Sequence, residues 1–281
     1  MFKKALTLIL AASLLVFSAS AAFASESGLF SEMIDTEFSD DRLATLDQVA
    51  ETVSKSMEAG SVTVEISQAY YEGNRVYISY KASGMILEQD GLDLEDGTYA
   101  DIVAGGSIQK KDKSIVGWKE CIVPEDKLAD TQTFFLVFSL PAGNEKYTLG
   151  VSLKHHDYDH FLQGTSPASA YQARAILYAG KVDLKGLIVL TSPEQAATWH
   201  SWLNEEEGTG TDAVVFWVLY QNGEPVSDDL YGANDVFEDD VTFSVMFPAM
   251  EDLSGLSLVP EYGDAGVKPE EAIVLEAVQP E

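Results

Sequence analysis

The sequence predicts a mostly β protein: two tandem β-sandwich domains, with a short N-terminal helix and one helix inserted in the second domain. Three observations carry this expectation. Apolar and polar residues alternate over many short runs, as in Val62, Val64 and Ile66 against Thr63, Glu65 and Ser67. Turn dipeptides such as Gly73-Asn74, Asp90-Gly91, Asp96-Gly97 and Asn222-Gly223 separate those runs. Only two stretches repeat apolar residues at helical spacing. A chain of 281 residues is long enough for two such domains.

Residues 1–24 read as a secretory signal peptide. Lys3 and Lys4 supply the positive start, residues 5–17 are almost wholly apolar, and Ala22-Phe23-Ala24 sets small residues before a cleavage point at Ser25. The competing reading is an uncleaved N-terminal anchor. The apolar run is short for a bilayer span, and no later segment is apolar enough to be one. The expected product is secreted, with no transmembrane segment after cleavage.

Residues 25–60 form an N-terminal segment with a helix. Leu43, Leu46, Val49, Val53 and Met57 make one stripe, Ser39 or Asp40 caps its start and Gly60 stops it. The first sandwich is expected over residues 61–160. It opens with a hairpin around Gly73-Asn74, passes a loop at 88–97, and continues with strands at 100–103, 107–110, 114–123, 133–140 and 147–154. A junction falls in residues 155–170, and the second sandwich spans 161–281. Its strands are read at 173–178, 181–191, 213–220, 241–247, 257–259 and 272–278. Ser192-Pro193 starts the inserted helix, with Ser as N-cap and Pro at the first helical position. The run at 213–220 is apolar throughout and is expected to be buried on both faces.

Composition narrows function. Hydrophobic residues make up 46% and aromatics 10%, so the chain can build cores. The 46 acids against 17 bases give a net charge of −29, which excludes nucleic acid as a partner and disfavours an anionic membrane surface. Cys121 is the single cysteine, so no intrachain disulfide can form. In the strand-like run Trp118–Val123 it reads as a small buried hydrophobe; the alternative, a reactive thiol, has no histidine nearby in sequence.

The stretches Gly60-Ser61-Val62-Thr63-Val64-Glu65-Ile66 and Ala69-Tyr70-Tyr71-Glu72-Gly73-Asn74-Arg75-Val76-Tyr77-Ile78-Ser79-Tyr80 resemble an immunoglobulin-like domain of unknown function. That family occurs in extracytoplasmic regions of Gram-positive envelope proteins, including anti-sigma-factor-like proteins. Leu219-Tyr220-Gln221-Asn222-Gly223 and the segment from Asp252 to Tyr262 are similar to its companion region. The resemblance implies immunoglobulin-like sandwiches and carries no catalytic motif. The chain departs from the family's membrane-anchored layout, having no second apolar segment.

Three groups of residues are candidates for chemistry. His155, His156, Asp157, Asp159 and His160 bring imidazole and carboxylate ligands into six residues, a donor set that suits a transition metal such as zinc. The competing reading is a solvated interdomain loop, since no His-Glu-x-x-His spacing occurs. Acidic loops at Asp90, Asp93, Glu95 and Asp96, and at Asp235, Glu238, Asp239 and Asp240, offer oxygen ligands for calcium without the spacing of a calcium loop. Trp199, His200 and Trp202 make either a carbohydrate platform or a helix-packing face. No nucleophile elbow, phosphate loop or dinucleotide fingerprint is present.

The expectation is therefore an exported, non-enzymatic binding or regulatory module of the cell envelope. It needs no cofactor, and its partner is an envelope protein or glycan. The alternatives are a metal-dependent hydrolase using His155–His160 and a carbohydrate-binding module.

Overall fold

The computed structural model describes Phe30 and residues 41–89, 91–141, 143–167, 171–204, 212–226 and 230–278, with the backbone alone at 41, 202–204 and 230–235. The signal-like segment lies outside the described residues. No helix among those described is long and apolar enough to cross a membrane. The chain is mostly β and divides into two units, Met1–Lys154 and His155–Glu281.

The first unit contains α1 (Asp41–Val49), β1 (Glu51–Ala59), β2 (Val62–Glu72), β3 (Arg75–Ala82), β4 (Leu87–Glu88), β5 (Leu92–Leu94), β6 (Tyr99–Gln109), β7 (Ile115–Ile122), β8 (Thr131–Ser139) and β9 (Lys146–Lys154). All nine strands join one antiparallel sheet in the order β1-β2-β3-β7-β6-β5-β8-β4, with β9 also on β8. The sequence suggested two separate sheets here. Continuity comes from β6: Tyr99 and Ala100 pair with β5, and Asp101–Gln109 pair with β7. The sheet curls on itself, so Tyr71 of β2 meets Phe134 of β8 edge to face at 5.1 Å, and β9 comes beside β1 and β2. One core, including Ile66, Ile78, Cys121, Phe138 and Val151, fills the interior.

Two sequence expectations change in this unit. The apolar stripe runs on to Val53 and Met57, yet the helix ends at Val49 and those two residues lie in β1. Spacing by four satisfies a period of two as well, and Thr52, Val53, Ser54 and Ser56 are poor helix formers. Burial of Val53 and Met57 against the core, and pairing with β2, favour the strand. Gly60 then turns the β1–β2 hairpin with φ of +61° instead of ending a helix. The expected loop at 88–97 contains β5, whose buried Leu92 and Leu94 pin it to the core.

The second unit contains β10 (His160–Thr165), β11 (Gln172–Ala179), β12 (Asp183–Thr191), α2 (Pro193–Asn204), β13 (Val214–Gln221), β14 (Glu224–Pro225), β15 (Leu230–Val236), β16 (Asp240–Pro248), β17 (Leu256–Tyr262), β18 (Gly266–Val267), β19 (Ile273–Val274) and β20 (Glu276–Val278). One sheet runs β15-β16-β12-β11-β10-β20, and a second runs β14-β13-β17-β18 with β19 on β17. Both contribute to one core. Fully buried Trp217 of β13 and Trp199 of α2 each meet Phe243 of β16 edge to face, at 6.2 and 5.9 Å.

The Ser192 hydroxyl accepts from the Gln195 N–H at 3.3 Å and caps α2. Asn222 and Gly223 turn β13 into β14 with φ of 52° and 89°. β13 is not buried on both faces as its apolar sequence suggested, because Phe216 points away from the core and is 40% exposed. The division falls at Lys154/His155, whereas the sequence placed it at 160/161. Residues before β10 are tied to the second unit: Asp159 N–H donates to Ala179 C=O at 2.9 Å, and His160 opens the β10–β11 ladder.

Candidate functional site

The histidine segment does not gather a ligand set. His155 Nδ1 lies 3.6 Å from Asp157 Oδ1, on a carboxylate whose side chain is 94% exposed. His160 is exposed at the head of β10, and Asp159 is exposed. Among the described residues no group of three or more His, Cys, Asp or Glu side chains is placed to hold a metal ion. The residue that organises the segment is Tyr158. Its ring lies 5.3 Å from that of Tyr178 and 4.7 Å beneath the Lys185 ammonium, while Phe161 meets Tyr178 edge to face at 5.1 Å.

The other candidates also have local employment. Asp93 accepts from the Gln89 amide at 2.9 Å. Asp96 accepts from Lys127 Nζ at 2.7 Å and from the Thr98 N–H at 2.9 Å, and these bonds hold its carboxyl well below the usual range. Asp90 and the Asp235 side chain lie outside the described residues, Glu238 and Asp239 are exposed, and Asp240 opens β16. Trp199 is 4% exposed and donates its indole N–H to Val214 C=O at 2.8 Å, which makes it a packing residue. His200 is exposed, 3.3 Å from Phe237 C=O, and the Trp202 side chain is outside the described residues.

Charged side chains are buried in the first unit where the sequence pointed to plain strand. β7 carries Lys119 and Glu120 side by side, hence on opposite faces. Glu120 is fully buried and contacts Arg75 of β3, with Arg42 of α1 at 3.7 Å. Lys119 Nζ lies 3.1 Å from Glu88 Oε2 and donates to Gln89 C=O at 3.2 Å. Tyr80 donates to Glu88 at 2.5 Å. Burial, reinforced by the Glu88 charge, holds the Tyr80 hydroxyl far above the usual phenol range. These charges are paired with one another inside the fold, although the buried Arg75 Nε and Glu120 Oε2 atoms make no hydrogen bond among the described residues, and the pairing ties α1, β3 and β7 together.

The second unit presents an open site. On the sheet face turned away from the core, the register sets Thr165 of β10, Arg174 of β11 and Val189 of β12 in one row, with Gln172 opposite Thr191 in the next. The alternation Gln172-Ala173-Arg174-Ala175 puts the alanines into the core and the polar pair outward. A groove of about 520 Å³ opens here, between Thr165, Ser166, Gln172, Arg174, Val189 and Thr191. That volume lies in the ordinary range for small-ligand sites. Ser166 is fixed by two bonds to Ala173: its N–H donates to the carbonyl at 2.8 Å and its hydroxyl accepts from the N–H at 2.9 Å. Thr165, Gln172, Arg174 and Thr191 are exposed, and Val189 is half-buried as an apolar floor. Sequence reading missed this site. The available signal was an arginine between two alanines of a strand, in a chain with three arginines.

No family model and no curated protein matches this chain. Among solved structures, the chain is similar to one titled the crystal structure of the conserved domain protein from Bacillus anthracis, at 12% identity and a TM-score of 0.50. The likeness covers 82% of this chain and 90% of that one, more than either unit alone supplies. At that identity it concerns the fold.

Proposed function

We propose that this protein is an exported, non-enzymatic binding or regulatory module of the bacterial cell envelope, and that the groove around Arg174 is its contact site. The observation that carries the reading is the groove itself: a concave site of ligand size on a rigid sheet, with an apolar floor and hydrogen-bonding side chains around one guanidinium. Export rests on the signal-like start of the sequence, and the immunoglobulin-like character of the domains rests on the sequence resemblance. A β sheet suits such a role because its ladder holds the contacting side chains in fixed register.

The test has two parts. Fractionation of producing cells should place the chain outside the cytoplasm, beginning at Ser25. Sedimentation with isolated envelope material should then be saturable and should weaken when Thr165→Trp fills the groove from its exposed rim. Turnover on a panel of hydrolase substrates, abolished by a single substitution, would overturn the non-enzymatic reading. Sedimentation unchanged by Thr165→Trp would remove the groove from it.

A further inference from the structure

We infer that the groove of the second unit recognises an acidic saccharide through its carboxylate or phosphate oxyanion, with Arg174 as the anchoring residue; this rests on the groove being the contact site. The first support is the disposition of the arginines. The chain has three. Arg42 and Arg75 are both committed to buried Glu120. Arg174 has no ion-pair partner among the described residues, although acids outnumber bases 46 to 17. Asp240, on the same sheet face, is paired with Thr191 one strand beyond Arg174's neighbour Val189. A guanidinium held on a strand presents a planar fork of donors that matches a carboxylate or phosphate in two parallel bonds.

The second support is what surrounds the guanidinium. Thr165 and Thr191 supply hydroxyls, and Gln172 supplies an amide able both to donate and to accept. The Ser166 hydroxyl already accepts from Ala173 N–H, which leaves its own proton to donate outward. Sugar hydroxyls need this mixture of donors and acceptors, whereas an isolated inorganic anion would use donors alone. Val189 and the exposed Leu187 extend an apolar strip along β12 for the carbon face of a sugar ring. The groove's 520 Å³ is of a size to accommodate a short saccharide.

The experiment is calorimetric titration of the full chain with trigalacturonic acid, its methyl ester and glycerol 1-phosphate, alongside a poly-glutamate peptide. The expected result is saturable binding of trigalacturonic acid, at least tenfold weaker binding of the ester, and at least tenfold loss for the acid in Arg174→Met. Arg174→Lys should fall between, because it keeps the charge and loses the fork. Binding of glycerol 1-phosphate above that of trigalacturonic acid would identify phosphate as the oxyanion and would still support the inference, provided Arg174→Met removes it. Equal binding of acid and ester, unaffected by Arg174→Met but lost in Thr165→Trp, overturns the oxyanion assignment and leaves the groove as a site. Binding that neither variant changes overturns both. Binding of poly-glutamate alone overturns the saccharide assignment, as does no binding by either acid at millimolar concentration.

Discussion

Two regions of the molecule use the same side chain in opposite ways. In the first unit, Arg42 and Arg75 close on Glu120, with side-chain exposures of 10, 13 and 0%. In the second unit, Arg174 stands exposed in a groove and makes no ion pair among the described residues. At Glu120 the charges are removed from water, so each is tolerable only because the others are present. At Arg174 water solvates the guanidinium, so the fold does not depend on it. A buried charge cluster specifies one arrangement of chain segments, here α1 on β3 and β7. An exposed charge in a concavity is available to something outside the chain.

The largest test of this contrast is Glu120→Ala. It removes the buried carboxylate that Arg42 and Arg75 share and should cost about 3–5 kcal/mol in urea unfolding. Replacing the cluster together, with Arg42→Met, Arg75→Met and Glu120→Leu, should lose much less than the single change, because no uncompensated charge remains. If the triple variant is as unstable as Glu120→Ala, the cluster contributes packing that charge alone does not explain.

A smaller loss is expected on the opposite face of β7. Tyr80→Phe removes the hydroxyl that donates to Glu88 while Lys119 still faces that carboxylate. The cost should be about 1.5–3 kcal/mol, the range for a hydrogen bond to a charged group. An unchanged urea midpoint would show that Glu88 is solvated enough to replace the bond with water.

Cys121 sharpens the comparison by pH. It is buried in β7, and burial pushes its thiol from an ordinary 9.0 up to about 12. The folded state therefore holds the proton more tightly than the unfolded state. Stability from this group is fully present below pH 9 and is lost as pH rises from 9 towards 12. Tyr80 acts in the same direction in alkali. At pH 8 a thiol reagent should not label the native chain and should label one thiol after denaturation. Rapid native labelling would show that this strand opens locally.

The smallest expected effect is that of Arg174→Met on stability. An exposed residue with no ion-pair partner among the described residues should shift the unfolding free energy by less than about 0.5 kcal/mol. A loss near that of Glu120→Ala would erase the distinction between the two arginine settings. Chelation supplies a parallel control at the histidine segment: EDTA should leave the melting temperature unchanged, because His155 to His160 do not converge on a common point.

Features that depend on neighbours along the chain are legible in the residues alone. Period-two alternation located strands β2, β3 and β16, the Gly73-Asn74 and Asn222-Gly223 turns set two hairpins, and Ser192-Pro193 started α2. These are readable because a turn, a cap or a pleat is fixed by residues a few positions apart. Tertiary structure alone decided the features that depend on distant segments. Val53 and Met57 fit helix and strand equally until β2 supplied partners. Whether β6 ended one sheet or carried it onward depended on β5 and β7. Glu120 became a buried counter-ion because Arg42 and Arg75 arrive from other elements. Arg174 lines a groove because Thr165 and Val189 flank it on neighbouring strands. Strand pairing joins residues far apart in the chain, and no local period records which strand will lie alongside or what it will place beside a charge.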